Sequence, residues 1–230
     1  MNSIIYTAIF GNRDSLKPQL ETGDEFIAFL DHKVQLPPWS IVQADRKYAN
    51  SRLEAKRYKI LPHDVLPPHQ YSLWIDGRIE IKTDQSVEQF AEQLLGDADV
   101  ALFAHYKRTC IYEEAWEVRA QGLDQRDVIY SQMARYTREG YPANNGLHEC
   151  SVILRRNTAR MREFNELWWH EITNGSIRDQ LSFDYVAFKL GLKVAEFPGD
   201  LSDNPYFLRP ARLQRTSICF TVAPFAQIRR

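Results

Sequence analysis

The stretch that most constrains the fold covers residues 72–81, with the sequence SLWIDGRIEI. Its apolar residues run directly into Asp76 and Gly77, so a strand that ends in an acidic turn would place one carboxylate at the rim of a sheet. In open α/β sheets, ligands bind at the rim formed by the carboxyl ends of the strands. Gly77 would leave room beside the acid for a ligand or a metal. If the chain stays extended, Asp76, Arg78 and Glu80 share one face. The alternative is an ordinary buried strand that ends in a turn.

The composition predicts one soluble α/β domain in a reducing compartment. With 230 residues, 44% of them hydrophobic, the chain is long enough for a sizeable core, and its net charge of −1 lacks the basic excess typical of nucleic-acid binders. Its three cysteines are isolated, which argues against a disulfide framework. We find neither a signal-peptide pattern nor an apolar run of about 20 residues. We therefore expect a cytoplasmic protein with no membrane span and no nucleic-acid partner. The oligomeric state stays open.

Apolar runs and capping patterns predict strands and helices in an α/β order. The predicted strands cover residues 4–10, 26–30, 40–43, 71–75, 99–104, 147–154 and 193–197. The predicted helices cover residues 50–60, 86–95, 110–119, 124–138 and 157–173, and another opens near residue 176. From residue 199 the chain is rich in loops, with a possible strand at residues 217–222. No linker divides the chain, so we expect a mostly parallel central sheet flanked by helices.

Two short patterns are candidates for binding or catalysis, and each has a purely structural alternative. Arg52 and Lys56 lie four residues apart on a predicted helix, so they share a face that is either solvated or positioned to bind a diphosphate. Ser176 and Asp179 have the spacing of a capping box at the start of a helix. Capping alone would explain Asp179. In that case Asp179→Asn would cost well under about 1 kcal/mol.

Several blocks, taken in order, resemble a known family. The blocks are residues 6–11 (YTAIFG), Arg52 with Lys56, residues 74–77 (WIDG), 111–115 (IYEEA), 146–149 (GLHE) and 178–183 (RDQLSF). Each block alone is a weak signal. Their combination, over roughly residues 3–197, resembles the TOD/MUCI-type glycosyltransferase-like domain. That domain is in turn similar to GT-A glycosyltransferases of the glycogenin-like family. The resemblance implies a single GT-A-like (Rossmann-like) α/β domain at residues 1–198, with a loop-rich extension at residues 199–230 packed on it.

The resemblance also implies a function and a set of site residues. The implied activity is transfer of a sugar from a nucleotide-diphosphate donor to a glycan or other acceptor. The implied nucleotide-binding residues are Thr7, Ala8, Phe10, Gly11, Arg52, Lys56, Asp76, Gly77 and Arg78. The implied residues for sugar or acceptor binding are Asn145, Gly146, His148 and Glu149, and the implied catalytic residues are Asp179 and Gln180.

Two departures from the family pattern bear on metal use. The strand-end Asp-x-Asp of the family, which binds Mn²⁺ and the diphosphate, corresponds to Asp76-Gly77-Arg78, where arginine replaces the second aspartate. A late metal-binding histidine of that pattern has no counterpart after residue 197. Either Mn²⁺ or Mg²⁺ on Asp76 neutralises the departing diphosphate, or cations such as Arg78, Arg52 and Lys56 do so.

Two other functions remain open at this stage. One is a non-catalytic protein that binds carbohydrate or nucleotide sugars on the same scaffold. The other is a hydrolase of sugar nucleotides, which would use the same groups with water as acceptor. The sequence leaves the donor, the acceptor and the anomeric outcome undetermined.

Overall fold

The computed structural model describes residues 2–210. Its strands are β1 (Ser3–Ile9), β2 (Glu25–Leu30), β3 (Ser40–Gln43), β4 (Tyr71–Ile75), β5 (Glu80–Ile81), β6 (Val100–Ala104), β7 (His148–Arg156), β8 (Val194–Glu196) and β9 (Phe207–Leu208). Its α-helices are α1 (Ser51–Ile60), α2 (Pro62–Val65), α3 (Val87–Leu94), α4 (Ile111–Ala120), α5 (Arg126–Arg138), α6 (Ala159–Asn174) and α7 (Phe183–Leu190), and a 3₁₀ turn covers Asp179–Leu181. The predicted strand at residues 217–222 and Cys219 lie outside the described residues.

The central sheet has seven strands in the order β3-β2-β1-β4-β7-β6-β8. β7 pairs antiparallel with both of its neighbours, and the other pairs in this sheet are parallel. β1 and β4 are buried along their whole length, as their near-continuous apolar sequences require in a sheet covered on both faces. The prediction of an α/β domain with a mostly parallel sheet is confirmed.

Two hydrophobic clusters cover the two faces of this sheet. On one face, Tyr6 and Trp74 pack with apolar residues from α1 and from α4 to α7. On the other face, Leu73 packs with residues of α3 and of the short strands β5 and β9. Alternate residues of each strand belong to opposite clusters, because successive side chains of a strand point to opposite faces of the sheet. Cys110 and Cys150 are buried in the core as free thiols.

The topology collects residues from distant parts of the sequence at one edge of the sheet. Gly11 follows β1, Asp76 follows β4 and His105 follows β6, so all three lie at the carboxyl edge of parallel strands. Because β7 is antiparallel to β6, its first residue lies at the same edge, and His148 pairs there with Ala104. Residues 145 and 146 immediately precede β7 and so belong to this edge as well.

The chain does not stay extended after β4, so the condition for a shared face is not met. Residues 76–79 form a turn in which the backbone N–H of Ile79 donates to the carbonyl oxygen of Asp76 at 2.8 Å. Asp76, Arg78 and Glu80 therefore do not form one face of a strand. Glu80 instead begins β5, which pairs antiparallel with β9 in a separate two-stranded sheet.

The first part of the predicted C-terminal extension packs on the domain within the described residues. Leu201 and Phe207 are buried, and both belong to the cluster that contains α3. β9 pairs with β5 through Phe207 and Leu208. The boundaries proposed from the sequence, residues 1–198 and 199–230, remain a prediction.

Candidate active site at the carboxyl edge of the sheet

Helix α1 brings a row of basic side chains to this edge. The helix begins after Asn50, whose side chain accepts a hydrogen bond from the backbone N–H of Arg52 at 3.0 Å. Arg52, Lys56 and Lys59 are spaced four and three residues apart, so they lie along one face of the helix. This face is not solvated, because the side chain of Lys56 is 13% exposed and that of Lys59 is 5% exposed.

The two lysines converge on the carboxylate of Asp179. Nζ of Lys56 lies 2.7 Å from Oδ2 of Asp179, and Nζ of Lys59 lies 2.6 Å from the same oxygen. The side chain of Asp179 is only 8% exposed. Asp179 thus joins the 3₁₀ turn to helix α1, which lies more than a hundred residues earlier in the chain.

The capping box predicted at residues 176–179 does not form. The 3₁₀ turn begins after Arg178, and no side chain caps it. The hydroxyl of Ser176 instead donates to Oδ2 of Asp124 at 2.6 Å. The carboxylate of Asp179 forms ion pairs with the two lysines and does not cap a helix.

The charges in this cluster shift one another's pKa values. Burial tends to raise the pKa of Asp179, but the charges of Lys56, Lys59 and Arg178 outweigh it and hold that pKa far below its usual range. Burial tends to lower the pKa of Lys59, but Asp179 and Asp76 bring it above its usual range. Burial lowers the pKa of Lys56 to about 8, although Asp179 opposes the shift. Asp179 is therefore ionised at neutral pH.

Asp76 lies beside this cluster and is more open to solvent. Its Oδ1 accepts a hydrogen bond from Nε1 of Trp74 at 2.9 Å and lies 3.5 Å from Nζ of Lys59. Its side chain is 35% exposed. Lys59 thus lies between the two aspartates predicted from the sequence, and the structure brings Lys56, Asp76 and Asp179 into one group.

Three arginines add positive charge around the same group. The pKa of Arg52 is lowered, first by burial and then by the charges of Arg178 and Arg13. Nη1 of Arg52 donates to the carbonyl oxygen of Leu123 at 3.3 Å, and Nε of Arg13 donates to Oγ of Ser51 at 3.3 Å. Nε of Arg178 is buried and has no hydrogen-bond partner among residues 2–210. Cations that crowd in this way are suited to hold an anion.

Glu149 supplies a carboxylate of a different kind at the same edge. Its side chain is 7% exposed, Nη1 of Arg209 lies 3.4 Å from its Oε2, and Nε2 of His105 lies 4.0 Å from its Oε1. Burial raises the pKa of Glu149 and the charge of Arg209 opposes the rise, while nearby carboxylates, including Asp76, add to it. A raised pKa makes this carboxylate a stronger base than an ordinary glutamate.

His148 has a role in packing. Its Nδ1 lies 2.5 Å from Oδ1 of Asp184, and its backbone N–H donates to Oδ2 of the same carboxylate at 3.0 Å. These bonds connect the start of β7 to helix α7. The side chain is buried against Phe183. His148 therefore holds the strand that presents Glu149.

The nucleotide-binding residues predicted around β1 lie beneath the site. The side chains of Thr7, Ala8 and Phe10 are buried, so they can shape the site only from within the core. Gly11 has a φ of 66°, which glycine adopts readily. Its backbone N–H donates to Oδ2 of Asp31 at 2.9 Å, so that donor is already used within the protein.

The reason for Gly77 is packing, and the expectation that it leaves space for a ligand is wrong. A Cβ atom at this position would lie 2.4 Å from Cδ1 of Ile9 and 2.7 Å from its Cγ1. The turn after β4 therefore packs against β1, and a Cβ atom there would force the side chain of Ile9 to move.

The remaining predicted residues lie near the same edge with different exposure. Arg78 is half-buried in the turn that follows Asp76, and Gln180 is half-buried in the 3₁₀ turn. Asn145 is exposed, and Gly146 has a φ of 87°.

The side chains at this edge do not form a metal site by themselves. In the part of the chain that the structure describes, no group of three or more His, Cys, Asp or Glu residues could hold a metal ion. Oδ1 of Asp76, the predicted ligand, instead faces Trp74 and Lys59. We therefore derive no step of the reaction from Mn²⁺ or Mg²⁺. Across residues 2–210, the helices are all too short or too polar to cross a membrane.

The site contains three residues that were absent from the sequence-based set: Lys59, Arg13 and Arg178. The spacing of Lys56 and Lys59 was a usable signal, because residues three apart share a helix face. Arg178 directly precedes Asp179 but gave no separate signal. Arg13 lies in the loop after β1, and its proximity to Arg52 depends on tertiary structure.

Comparison with known proteins identifies related sequences. A family model described as "TOD1/MUCI70, glycosyltransferase-like domain" matches residues 19–198. A protein of Arabidopsis thaliana named "Probable hexosyltransferase MUCI70" is 32% identical over 176 residues, which cover 72% of this chain and 30% of that protein. A second Arabidopsis thaliana protein, "Alkaline ceramidase TOD1", is 22% identical over 227 residues, which cover 83% of this chain and 49% of that protein. The chain thus spans less than half the length of either relative.

Among solved structures, the chain resembles a glycosyltransferase involved in the glycosylation of the major capsid of PBCV-1. The TM-score is 0.47 and the sequence identity is 9%. The match covers 86% of this chain and 81% of that structure.

Proposed function

The chain belongs to the family of the TOD1/MUCI70 glycosyltransferase-like domain, and on that premise we propose that it is a glycosyltransferase. The proposed reaction moves a sugar from a nucleoside-diphosphate donor to a glycan or other acceptor. The relative named as a probable hexosyltransferase supports a sugar as the transferred group. The bond that breaks joins the anomeric carbon to a diphosphate oxygen, which leaves with the bonding electrons.

The observation that carries this proposal is the cation cluster at the carboxyl edge of the sheet. Lys56 and Lys59 both pair with Asp179, and Lys59 also lies 3.5 Å from Asp76. Burial lowers the pKa of Arg52, and the charge of Arg178 lowers it further. The buried Nε of Arg178 has no acceptor among the described residues. A diphosphate would supply the missing negative charge and hydrogen-bond acceptors.

In the proposed reaction these cations stabilise the leaving group. Negative charge grows on the diphosphate as the bond to the sugar breaks. Fixed cations in a partly buried site stabilise that charge more than they would in water. Asp76, which is half-buried and adjacent to Lys59, is placed to hold hydroxyl groups of the donor.

We assign different roles to the two buried carboxylates. Asp179 is held ionised far below neutral pH by its lysines, which makes it a weak base, so we propose that it positions Lys56 and Lys59. Glu149 has a raised pKa, so we propose that it accepts the proton of the acceptor hydroxyl. The hydroxyl oxygen then attacks the anomeric carbon as its proton passes to Glu149.

Turnover of a donor panel tests this proposal. Purified protein is incubated with nucleotide sugars in the presence and absence of an acceptor extract, and both free nucleotide and glycosylated product are measured. We expect release of nucleoside diphosphate that depends on acceptor and matches product formation.

Other outcomes would identify other functions. Release without acceptor would indicate a sugar-nucleotide hydrolase, and binding without release would indicate a non-catalytic protein. Because one relative is named as a ceramidase, ceramide is included as a substrate. Release of fatty acid from ceramide, with no turnover of any donor, would overturn the proposal.

A further inference from the structure

A buried arginine without a counter-ion lies at the opposite edge of the central sheet. Arg155, in β7, is 1% exposed. Its Nη1 donates to the hydroxyl of Tyr6 at 2.9 Å, whereas Nε and Nη2 have no hydrogen-bond partner within residues 2–210. Among residues 2–210, no carboxylate acts on its pKa, which burial lowers and which Tyr6 and Cys150 raise.

A small cavity adjoins this guanidinium. It offers about 10 Å³ in which the centre of a water-sized particle can lie, so it has room for a small bound particle. Two further buried atoms of its lining residues lack partners among the described residues, namely Nδ1 of His63 and Oδ1 of Asn165. Three side chains thus leave hydrogen-bonding capacity unused around one small space.

This cavity is separate from the candidate active site. Arg155 pairs with Ser72 near the start of β4, whereas Asp76 follows the end of that strand. Ser72 and Arg155 both line the cavity.

The charge of Arg155 requires compensation. A buried charge without a partner is strongly destabilising. Many buried groups avoid this cost by losing their charge, but an arginine side chain stays protonated in proteins. Burial lowers the pKa of Arg155 but cannot neutralise it at neutral pH. Its charge also contributes to the lowered pKa values of His63 and His69, although burial is the larger cause in both. A water molecule could satisfy the N–H groups but would leave the charge in place.

We propose that this cavity binds one small monovalent anion, a halide such as chloride. Nε and Nη2 of Arg155 donate to it from one side, as a guanidinium fork does to an anion. Nδ1 of His63 donates in the neutral tautomer that carries its proton there, and the amide of Asn165 donates after a 180° rotation of its side chain.

The anion would also support the active site from behind. The hydroxyl of Tyr6, which accepts from Arg155, donates to the backbone carbonyl of Lys59 at 3.1 Å. Lys59 holds both aspartates of the candidate site. By holding the guanidinium in place, the anion would keep the hydroxyl of Tyr6 oriented toward the last turn of α1.

Halide-dependent thermal stability tests the proposal. The melting temperature of the full chain is measured in sodium chloride, sodium bromide and sodium gluconate at equal ionic strength. We expect the halides to raise it by about 2–4 °C over gluconate, in a saturable manner. Arg155→Met should lose this difference. The matched control Arg119→Met, which removes an exposed arginine of α4, should retain it.

A crystal grown or soaked in bromide provides evidence that does not depend on the variant. We expect an anomalous peak within hydrogen-bond distance of Nε of Arg155. Equal melting temperatures in halide and gluconate, or an unchanged halide effect in Arg155→Met, would overturn the proposal. If that variant fails to fold, absence of the bromide peak would overturn it in the same way.

Discussion

Replacing Asp179 by asparagine separates the ion-pair role found in the structure from the capping role suggested by the sequence. The substitution keeps the shape of the side chain and removes its charge. Lys56 and Lys59 then lose the carboxylate oxygen that lies 2.7 and 2.6 Å from their Nζ atoms. Within the described residues, the nearest remaining ion-pair partner is Asp76, at 3.5 Å from Lys59.

The cost follows from the burial of the pair. Removing one partner of a buried ion pair typically costs about 3–5 kcal/mol, because the other charge is left buried without compensation. We therefore expect Asp179→Asn to lower the free energy of unfolding by about 3–5 kcal/mol, whereas loss of a helix cap to asparagine would cost well under about 1 kcal/mol.

Urea unfolding at pH 7, followed by circular dichroism, measures this loss. Asp45→Asn, at an exposed position, is the matched control and should change the free energy of unfolding by less than about 0.5 kcal/mol. Adding Lys56→Met to Asp179→Asn should recover part of the loss, because it removes the lysine that Asp179→Asn leaves without an ion pair among the described residues. A loss below about 1 kcal/mol for Asp179→Asn, or no recovery in the double variant, would refute the ion-pair reasoning.

Three further predictions concern single positions. Since the pKa of Lys56, about 8 in the folded protein, lies below its ordinary value of 10.5, the unfolded chain binds more protons between those pH values. Urea titrations give the unfolding free energy of the wild type minus that of Lys56→Met, and this difference should rise by about 2 kcal/mol from pH 7.5 to 9.5. A difference that does not change with pH would contradict this explanation. Glu149→Gln should lower transfer about a hundredfold or more while leaving donor affinity unchanged, as measured by steady-state kinetics and calorimetry; an equal loss of affinity would point to a binding role. Gly77→Ala should destabilise the protein by about 1–3 kcal/mol because its Cβ would meet Ile9. Ile9→Val should be less harmful in that variant than in the wild type, and strictly additive losses would contradict the packing explanation.

The sequence alone predicts those features of the site that follow from local pattern and from the topology of the sheet. The apolar runs that become β1 and β4 end at Gly11 and Asp76, and parallel strands bring such ends to one edge. The spacing of Arg52 and Lys56 predicted a shared helix face. These features depend on periodicity and on the geometry of a parallel sheet, both of which are visible in a single chain.

Other features depend on partners that are distant in the sequence. The spacing of Ser176 and Asp179 fits a capping box, but Asp124 takes the hydroxyl and two lysines take the carboxylate. A glycine beside an acid suggests ligand approach, yet Ile9 occupies that space at Gly77.

Strand β9 and the buried Arg155 show the same limit. β9 has only two residues and exists through its pairing with β5. An arginine inside a strand sequence gives no sign of burial, because arginine is usually exposed.

The central claim is that the cation cluster binds the diphosphate of a donor, and a binding measurement in the presence of EDTA tests it most directly. Calorimetry compares a panel of nucleoside diphosphates with the matching nucleosides for the wild type, Arg52→Gln and Arg178→Gln. We predict that diphosphates bind the wild type without metal, and that each variant weakens diphosphate binding at least about tenfold while affecting nucleosides little. Equal losses for diphosphates and nucleosides, or unchanged diphosphate binding in both variants, would contradict the account.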